Sequence, residues 1–305
     1  MVARTGDASP FGAVAGPRTV TLLLPGSPEW PESLSDADPA VMALYALGDP
    51  ACLAPPLCAV VGTRLSTDYG ERVATQLVSA LAMAGVGIVS GLARGIDAAA
   101  HRAALSAGGR TIAVLGTGVD VPYPAGHRAL HAEIAAKGLV LSENPPGRKA
   151  YQGCFPKRNR IIAALAPVTL VVEAGHRSGA QSTASFAIAA NRMVAAVPGP
   201  IDSPQSAGTN ALIASGAHIV TCAGDLFALL GLSPPAAERV EQRLVGDSLA
   251  VWRALERGAL FCEDVAAAAD LPLPRALSAV SELELAGHVS VGIDDRVHRA
   301  VPVAR

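Results

Sequence analysis

The chain contains 305 residues, of which 50% are hydrophobic and 16% are charged, and its formal net charge is −2. This composition is typical of a tightly packed α/β protein and excludes disordered and fibrous chains. The net charge argues against a protein that coats nucleic acid through its overall charge. Any nucleic-acid binding therefore has to come from a local concentration of Lys and Arg.

Membrane and export signals are not expected. No apolar run reaches the roughly eighteen residues that cross a bilayer, and residues 1–18 lack the pattern of a signal peptide. We therefore expect a soluble, cytoplasmic protein without membrane contact. The five cysteines are scattered and contain no C-x-x-C pair, so we expect reduced thiols and no metal site. They are Cys52, Cys58, Cys154, Cys222 and Cys262.

The first half of the chain changes character at residue 57. Residues 1–20, rich in Gly, Ala and Pro, are predicted to form a flexible tail. Prolines interrupt segment 22–56, which predicts short helices lying over the next domain. From residue 57, seven continuously apolar segments alternate with helical patterns, as a parallel sheet buried on both faces requires. The predicted strands are 58–62, 86–89, 111–115, 139–141, 168–172, 193–197 and 218–220.

A helix is predicted over residues 68–84. Val73, Leu77 and Leu81 fall on one face of this helix, and Asp68 with Glu71 has the spacing of a capping box. Repeated strand–helix–strand units predict a right-handed, extended Rossmann-like parallel sheet. We assign this domain to residues 21–232.

The C-terminal part has a different pattern. After a predicted linker at 233–246, three helices and a hairpin predict a winged-helix-like domain over 247–305. The helices are 249–256, 263–269 and 275–286, and the hairpin strands are 288–291 and 296–301. Glu282 and Glu284 accompany a single Arg on the third helix, and acidic groups repel phosphates. We interpret the domain as a module that contacts another protein, or as one that no longer reads base sequence in a DNA groove.

Catalytic and cofactor motifs are not found in the sequence. At the first strand-to-helix turn, 62–64, a bulky Arg stands where a dinucleotide fingerprint needs its second glycine, and there is no Walker A loop. Ser90 and Ser178 lie outside any nucleophile elbow. Asp97 and His101, one turn apart, could share a hydrogen bond, which we interpret as a structural tie rather than a catalytic pair. We expect no catalytic residue, no metal and no cofactor.

The distribution of charged residues along the chain is the feature that points to a binding site. Segment 144–172 has no acidic residue, yet five Lys and Arg occur within 148–160, at a predicted helix start whose free N–H groups favour phosphate. Arg64 and the small-residue turn Ser178-Gly179 follow other strands and should reach the same sheet edge. Phe155 flanks the helix start, where a base can stack on it for about 1–3 kcal/mol. These features predict a site for an unpaired polynucleotide.

The motifs of residues 20–232, in their order, resemble the DprA/Smf family. The resemblance implies an extended Rossmann fold, single-stranded DNA bound in a basic pocket, and a homodimer. It also implies protection of incoming DNA and loading of RecA in natural transformation and homologous recombination. The matching segments are 61–64, 69–70, 90–101, 109–116, 123–124, 142–143, 155–162, 172–173, 178–179, 197–199 and 210–213.

The resemblance also implies which residues of this chain bind DNA. The DNA-binding residues would be Gly62, Thr63, Arg64, Phe155, Lys157, Arg158, Asn159, Ser178 and Gly179. A supporting loop would use Gly91, Arg94, Gly95 and Glu173. Gln181, Ser182 and His127 depart from the family's usual residues.

Two other functions remain open. A Rossmann-like nucleoside-phosphate hydrolase or nucleotide-sensing protein could use Glu173 to activate water, although the glycine-rich loop of such enzymes is missing. A sequence-specific regulator could read duplex DNA through the winged helix, although the acidic third helix disfavours it.

Overall fold

The computed structural model describes residues 19–176, 178–233, 244–258, 260–286, 288–292 and 295–299. They belong to two compact units, which divide between Gly231 and Leu232. The predicted tail up to residue 18, most of the predicted linker and the tip of the predicted hairpin lie outside the described residues.

The first unit is built on a nine-stranded sheet. Its strands are β1 (Thr21–Leu23), β2 (Leu44–Gly48), β3 (Leu57–Val61), β4 (Gly87–Ser90), β5 (Thr111–Val114), β6 (Leu139–Ser142), β7 (Val168–Val171), β8 (Met193–Ala196) and β9 (His218–Ile219). Their order is β1-β2-β6-β5-β4-β3-β7-β8-β9, and β3 to β9 are parallel. The parallel sheet predicted from the apolar segments is confirmed.

Both faces of the sheet are buried. Ile112 and Val114 of β5 belong to one core cluster, while Ala113, the residue between them, belongs to another. Successive side chains of a strand point to opposite faces, so the two clusters lie on either side of the sheet. Helices cover these faces. They are α1 (Asp68–Met83), α2 (Ile96–Ser106), α3 (Arg128–Lys137), α4 (Cys154–Leu165), α5 (Gly179–Ala189), α6 (Ala207–Ala214) and α7 (Ala223–Leu229).

The prediction for segment 22–56 was wrong in part. Short 3₁₀ helices do occur at Glu32–Asp36 and Pro50–Leu53, but the segment also supplies β1 and β2. Strand β2 pairs antiparallel with β6, and β1 pairs with β2, so the sheet is two strands wider than predicted. No proline falls within β1 or β2. Every residue of these two strands therefore keeps the backbone N–H that can donate a hydrogen bond to a neighbouring strand.

Helix α1 begins at residue 68, as predicted, but its cap is not the predicted one. Thr67, not Asp68, is the N-cap, and its hydroxyl accepts a hydrogen bond from the Gly70 N–H at 3.1 Å. The Glu71 carboxylate accepts from the Ser66 hydroxyl at 2.6 Å. The predicted Asp68–Glu71 capping box is therefore wrong, because the two residues already lie inside the helix.

The second unit has its own core around Trp252. Its elements are α8 (Gly246–Ala254), β10 (Leu260–Phe261), α9 (Cys262–Ala268), α10 (Leu273–Leu285), β11 (Val289–Val291) and β12 (Arg296–Arg299). The three strands form an antiparallel sheet in the order β10-β12-β11. The assignment of this unit to the winged-helix class stays a prediction.

Within the described ranges, no helix combines the length and the apolar character needed to span a membrane.

Candidate functional site

A pocket of about 530 Å³ opens where β3, β4 and β7 end. The loops after these strands and the first turns of α4 and α5 form its walls, which is where open parallel sheets bind ligands. Eight of the nine predicted DNA-binding residues line it, namely Gly62, Thr63, Arg64, Phe155, Arg158, Asn159, Ser178 and Gly179. Lys157 does not line it.

A smaller cavity of about 170 Å³ lies next to this pocket. Five residues line both cavities and so lie between them: Arg64, Leu65, Ala93, Phe155 and Arg158. Gly91 and Arg94 of the predicted supporting loop line the smaller cavity, together with Tyr123. Tyr123 was missed from sequence, although an aromatic residue in a strand-end loop is a usable signal.

An exposed cation lies over an aromatic ring at the mouth of both cavities. The guanidinium carbon of Arg64 is 5.6 Å from the centroid of the Phe155 ring, within cation–π range. Arg64 is exposed, and Phe155 is only partly buried. The charge and the ring are therefore both accessible to a ligand.

Arg158 forms the floor of the pocket. It is 6% exposed, and its Nη1 donates to the carbonyl oxygens of Gly91, at 2.6 Å, and Val114. Nε donates to the Asn159 side chain at 3.2 Å. Burial lowers the pKa of Arg158 to about 10, so the side chain is still cationic at neutral pH. Nη2 donates to none of the residues that the structure describes, which leaves this nitrogen for a ligand oxygen.

Asp97 and His101 do not bond to each other, so that prediction was wrong. The Asp97 carboxylate accepts from the backbone N–H groups of Gly91, at 3.1 Å, and Ala93, at 3.3 Å. The imidazole Nδ1 of His101 instead lies 2.7 Å from the Thr111 hydroxyl. Burial raises the pKa of Asp97, which Arg158 opposes, and burial lowers the pKa of His101 to about 3. Asp97 thus holds the loop after β4, as a structural tie.

Glu173 supports the loop that carries Arg64. Its two carboxylate oxygens accept from the Thr67 N–H at 3.0 Å and the Thr67 hydroxyl at 2.5 Å. Its carbonyl oxygen accepts from the Thr63 N–H at 2.7 Å. Because Glu173 is 2% exposed and both oxygens are engaged, it is poorly placed to activate water for a hydrolase.

Two glycines have opposite surroundings. Gly95, with a φ of +70°, supports the Arg64 loop from below: a Cβ there would overlap the Thr63 carbonyl oxygen, although Gly95 lines neither cavity. At Gly179, the first residue of α5, a Cβ would meet nothing within 4 Å. The backbone at the start of α5 is therefore open to a ligand.

Helices α4 and α5 are joined at the pocket wall. The Asn159 amide donates to the Gly179 carbonyl oxygen at 3.3 Å, while the Ser178 hydroxyl accepts from the Ala180 N–H at 3.3 Å. Small residues and a helix start side by side make a surface suited to an anion.

Two cations of the predicted cluster are tied to Glu143. Arg160 is 2% exposed, and its guanidinium donates twice to the Glu143 carboxylate, at 2.7 Å each. Lys157 is half exposed, with its Nζ 3.7 Å from the same carboxylate. Arg160 is therefore a structural residue, and part of the charge of Lys157 is neutralised.

The three departures from the family pattern have definite contacts. The Gln181 amide donates to the Gly175 carbonyl oxygen at 3.4 Å, and Ser182 lines the pocket. The His127 Nδ1 lies 3.0 Å from the Leu92 carbonyl oxygen. None of these contacts blocks the pocket.

Comparison with known proteins places the chain in a family. The family model described as DNA recombination-mediator protein A matches residues 21–231. The chain is 43% identical over 287 residues to a DprA relative of Mycobacterium tuberculosis, covering 87% of this chain and 74% of that protein.

Two solved structures are similar in fold and sequence. DNA processing protein A of Streptococcus pneumoniae matches with a TM-score of 0.66 and 41% identity, over 68% of this chain and 74% of that chain. DNA processing protein A of Helicobacter pylori, described for its single-stranded DNA binding mode, matches with a TM-score of 0.64 and 30% identity, over 70% of this chain and 96% of that chain. The chain therefore belongs to the DNA recombination-mediator protein A (DprA/Smf) family of DNA processing proteins.

Proposed function

We propose that this chain binds single-stranded DNA in the pocket between β3, α4 and α5, and that it does so without catalysing a reaction. The observation that carries the proposal is the exposed Arg64 guanidinium over the Phe155 ring at the pocket mouth. A cation beside an accessible ring offers a phosphate contact and a stacking surface together. Arg158 Nη2 and the open start of α5 would complete the phosphate contacts.

An unpaired strand suits this site better than a duplex. A duplex calls for a helix or ribbon directed into a groove, whereas this site is a pocket built from loops. The third helix of the second unit does not supply such a reader, because its Arg275 is bonded twice to Asp247, at 2.7 and 2.6 Å. The Helicobacter pylori relative, described for its single-stranded DNA binding, supports the same reading.

Family membership supports a wider role. We propose that the protein acts in the cytoplasm as a homodimer, protects incoming single strands, and loads RecA onto them in natural transformation and homologous recombination. The direct test is RecA filament formation on strands coated with single-strand-binding protein. Filaments should form faster when this protein is present, and an unchanged rate would remove RecA loading from the proposal.

Fluorescence anisotropy with labelled oligothymidylate tests DNA binding. If about two to four phosphates are neutralised, the slope of log affinity against log salt should be about −1.5 to −3. Arg64→Ala should weaken binding and make this slope shallower by about 0.7, because one phosphate contact is lost. Arg102→Ala is the matched control, since Arg102 is also exposed but lines neither cavity. Equal titrations of both variants would end the assignment.

A further inference from the structure

Resting on the proposed function, we propose that the bound strand leaves the pocket on one side only, over a second contact surface. This surface, the tyrosine shoulder, consists of Tyr123, Arg148 and Tyr151. The two rings would stack on bases and the Arg148 guanidinium would contact a phosphate outside the central pocket.

Tyr123 extends the stacking surface at the pocket mouth. Its ring lies against that of Phe155, with centroids 4.9 Å apart and planes tilted by 32°. Tyr123 is 42% exposed, and both rings line the smaller cavity. A base held against Phe155 therefore has a second ring beside it, on the side away from the larger pocket.

Tyr151 and Arg148 form a second cation–aromatic pair. The Arg148 guanidinium carbon is 5.0 Å from the centroid of the Tyr151 ring, and both side chains are exposed. The segment that carries them is fastened to the loop after β5, because the Gly118 N–H donates to the Arg148 carbonyl oxygen at 2.8 Å. The Asn144 amide donates to the Gly116 carbonyl oxygen at 3.0 Å, and Asn144 accepts from the Tyr151 hydroxyl at 3.5 Å.

The same loop supports Phe155, which ties the shoulder to the pocket. A Cβ at Gly116 would lie 3.0 Å from the Phe155 ring, so the ring rests on this glycine. The loop after β5 therefore contacts both the Phe155 ring and the segment that carries Tyr151, and so holds the two rings near each other.

Charge favours the shoulder as the exit side. Among the described residues, Arg148 and Lys149 form no ion pair. Of the acidic groups nearby, Glu143 is paired with Arg160, whereas Asp120 accepts at 2.7 Å from a neutral donor, the Gly147 N–H. Arg148 and Lys149 outnumber this one carboxylate, so the surface keeps a positive charge that attracts phosphates.

The opposite side of the pocket has a similar pair in a less favourable setting. Arg72 lies over the Tyr69 ring at 5.8 Å, near the start of α1. Asp68 and Glu71, both exposed, occupy the same first turn, and their charges repel phosphates. The Tyr69–Arg72 pair is thus a matched control for the shoulder.

Length dependence of binding tests the proposal. Anisotropy titrations would use oligothymidylates of about four and about sixteen nucleotides, the range of single-strand site sizes. Tyr151→Leu should lower affinity for the longer strand about fivefold to hundredfold, while Tyr151→Phe keeps it. Arg148→Ala should make the salt slope for the longer strand shallower by about 0.7. Neither change should alter binding of the shorter strand.

The outcomes separate the two proposals. Tyr69→Leu and Arg72→Ala should leave binding of both strands unchanged, and a loss confined to these variants would place the exit on the opposite side and overturn the inference. Shoulder variants that bind both strands like the wild type, or lose both equally, would also overturn it. If Arg64→Ala has no effect on either strand, the proposed function itself fails. Thermal unfolding confirms that each exposed substitution leaves the fold intact.

Discussion

The arginines of the sheet edge show that position, more than residue type, decides what a cation does. Arg64 is exposed, whereas Arg158 and Arg160 are buried and bonded to backbone carbonyls or to Glu143. A buried guanidinium is costly to strip of its partners. Replacing Arg64 should therefore test binding, while replacing Arg160 would test stability.

Gly91 and Gly179 should respond oppositely to alanine. At Gly91 a Cβ would lie 2.6 Å from the Arg158 guanidinium carbon, so Gly91→Ala should destabilise the fold by about 1–3 kcal/mol through overpacking. Urea unfolding followed by circular dichroism measures this difference. A variant as stable as the wild type would show that Arg158 can move aside, and would weaken its assignment as a fixed pocket floor.

Gly179→Ala should leave the fold intact. The new methyl would meet no atom within 4 Å, and alanine is a better helix former than glycine by about 1 kcal/mol. The methyl would project from a residue that lines the pocket, so we expect weaker binding of single-stranded DNA with unchanged or higher stability. Unaltered affinity would indicate that DNA does not approach the start of α5.

The sequence predicts the members of the site better than their roles. Strand-end position and charge identify Arg64, Phe155 and Arg158 because parallel strands bring their following loops to one edge. A count of charges along the sequence does not show which cations are paired with a carboxylate. Glu143 lies just outside the segment without acidic residues, yet it binds Arg160 and approaches Lys157. Side-chain pairing across loops is set by tertiary packing, which local pattern does not encode.

At the scale of elements, one residue of the loop after β7 holds both ends of the loop between β3 and α1, because the Glu173 carbonyl oxygen accepts from the Thr63 N–H and its carboxylate accepts from Thr67. Glu173 accepts two hydrogen bonds from Thr67, which in turn caps α1. Gly70 leaves room for this contact, because a Cβ there would overlap the Glu173 carboxylate. The Arg64 loop is therefore held at both ends.

Glu173→Ala should loosen this loop. Two Thr67 donors would lose their acceptor, at a cost of about 1–3 kcal/mol in the free energy of unfolding, and single-stranded DNA affinity should fall because Arg64 is no longer held over Phe155. Glu173→Gln retains an acceptor and should lose less of both. Urea unfolding and anisotropy titration on the same preparations check this. Full stability together with abolished release of free base from nucleoside monophosphates would instead favour a hydrolase.

The same scale shows which elements sequence patterns can identify. Strands β3 to β8 are recognisable because they are buried, almost throughout, on both faces and are continuously apolar. The edge strand β9 is exposed, and only its short apolar pattern identifies it. Strands β1 and β2 were missed because their neighbourhood is rich in proline, and their pairing with β6 is a contact between segments far apart in sequence. The cap of α1 was misplaced because Thr, Asp and Glu are all plausible near a helix start.

The whole molecule should be destabilised by mild acid. His101 is fully buried, and its pKa of about 3 lies below the ordinary value of 6.5. The unfolded chain therefore binds a proton that the folded chain does not, so stability is present above about pH 6.5 and is lost as the pH falls towards 3. The expected slope is about 1.4 kcal/mol per pH unit for this group.

Urea unfolding across this pH range checks the prediction. Burial also lowers the pKa of His131, which adds to the effect, whereas the raised pKa of Asp97 acts in the opposite direction. His101→Asn should give a flatter dependence than the wild type. If wild-type stability falls no more steeply than that of His101→Asn as the pH is lowered from about 6.5 to 5, the buried, neutral state of His101 is contradicted.

The net charge of the molecule is −2, yet accessible cations and aromatic rings gather at one edge of the parallel sheet. That uneven distribution is the central claim. Photo-cross-linking of an oligothymidylate carrying a halogenated uracil, followed by mass spectrometry, tests it most directly. We predict adducts in the peptide that contains Phe155, and their loss when unlabelled single strands compete. Adducts confined to residues 244–299, with Phe155 untouched, would contradict it.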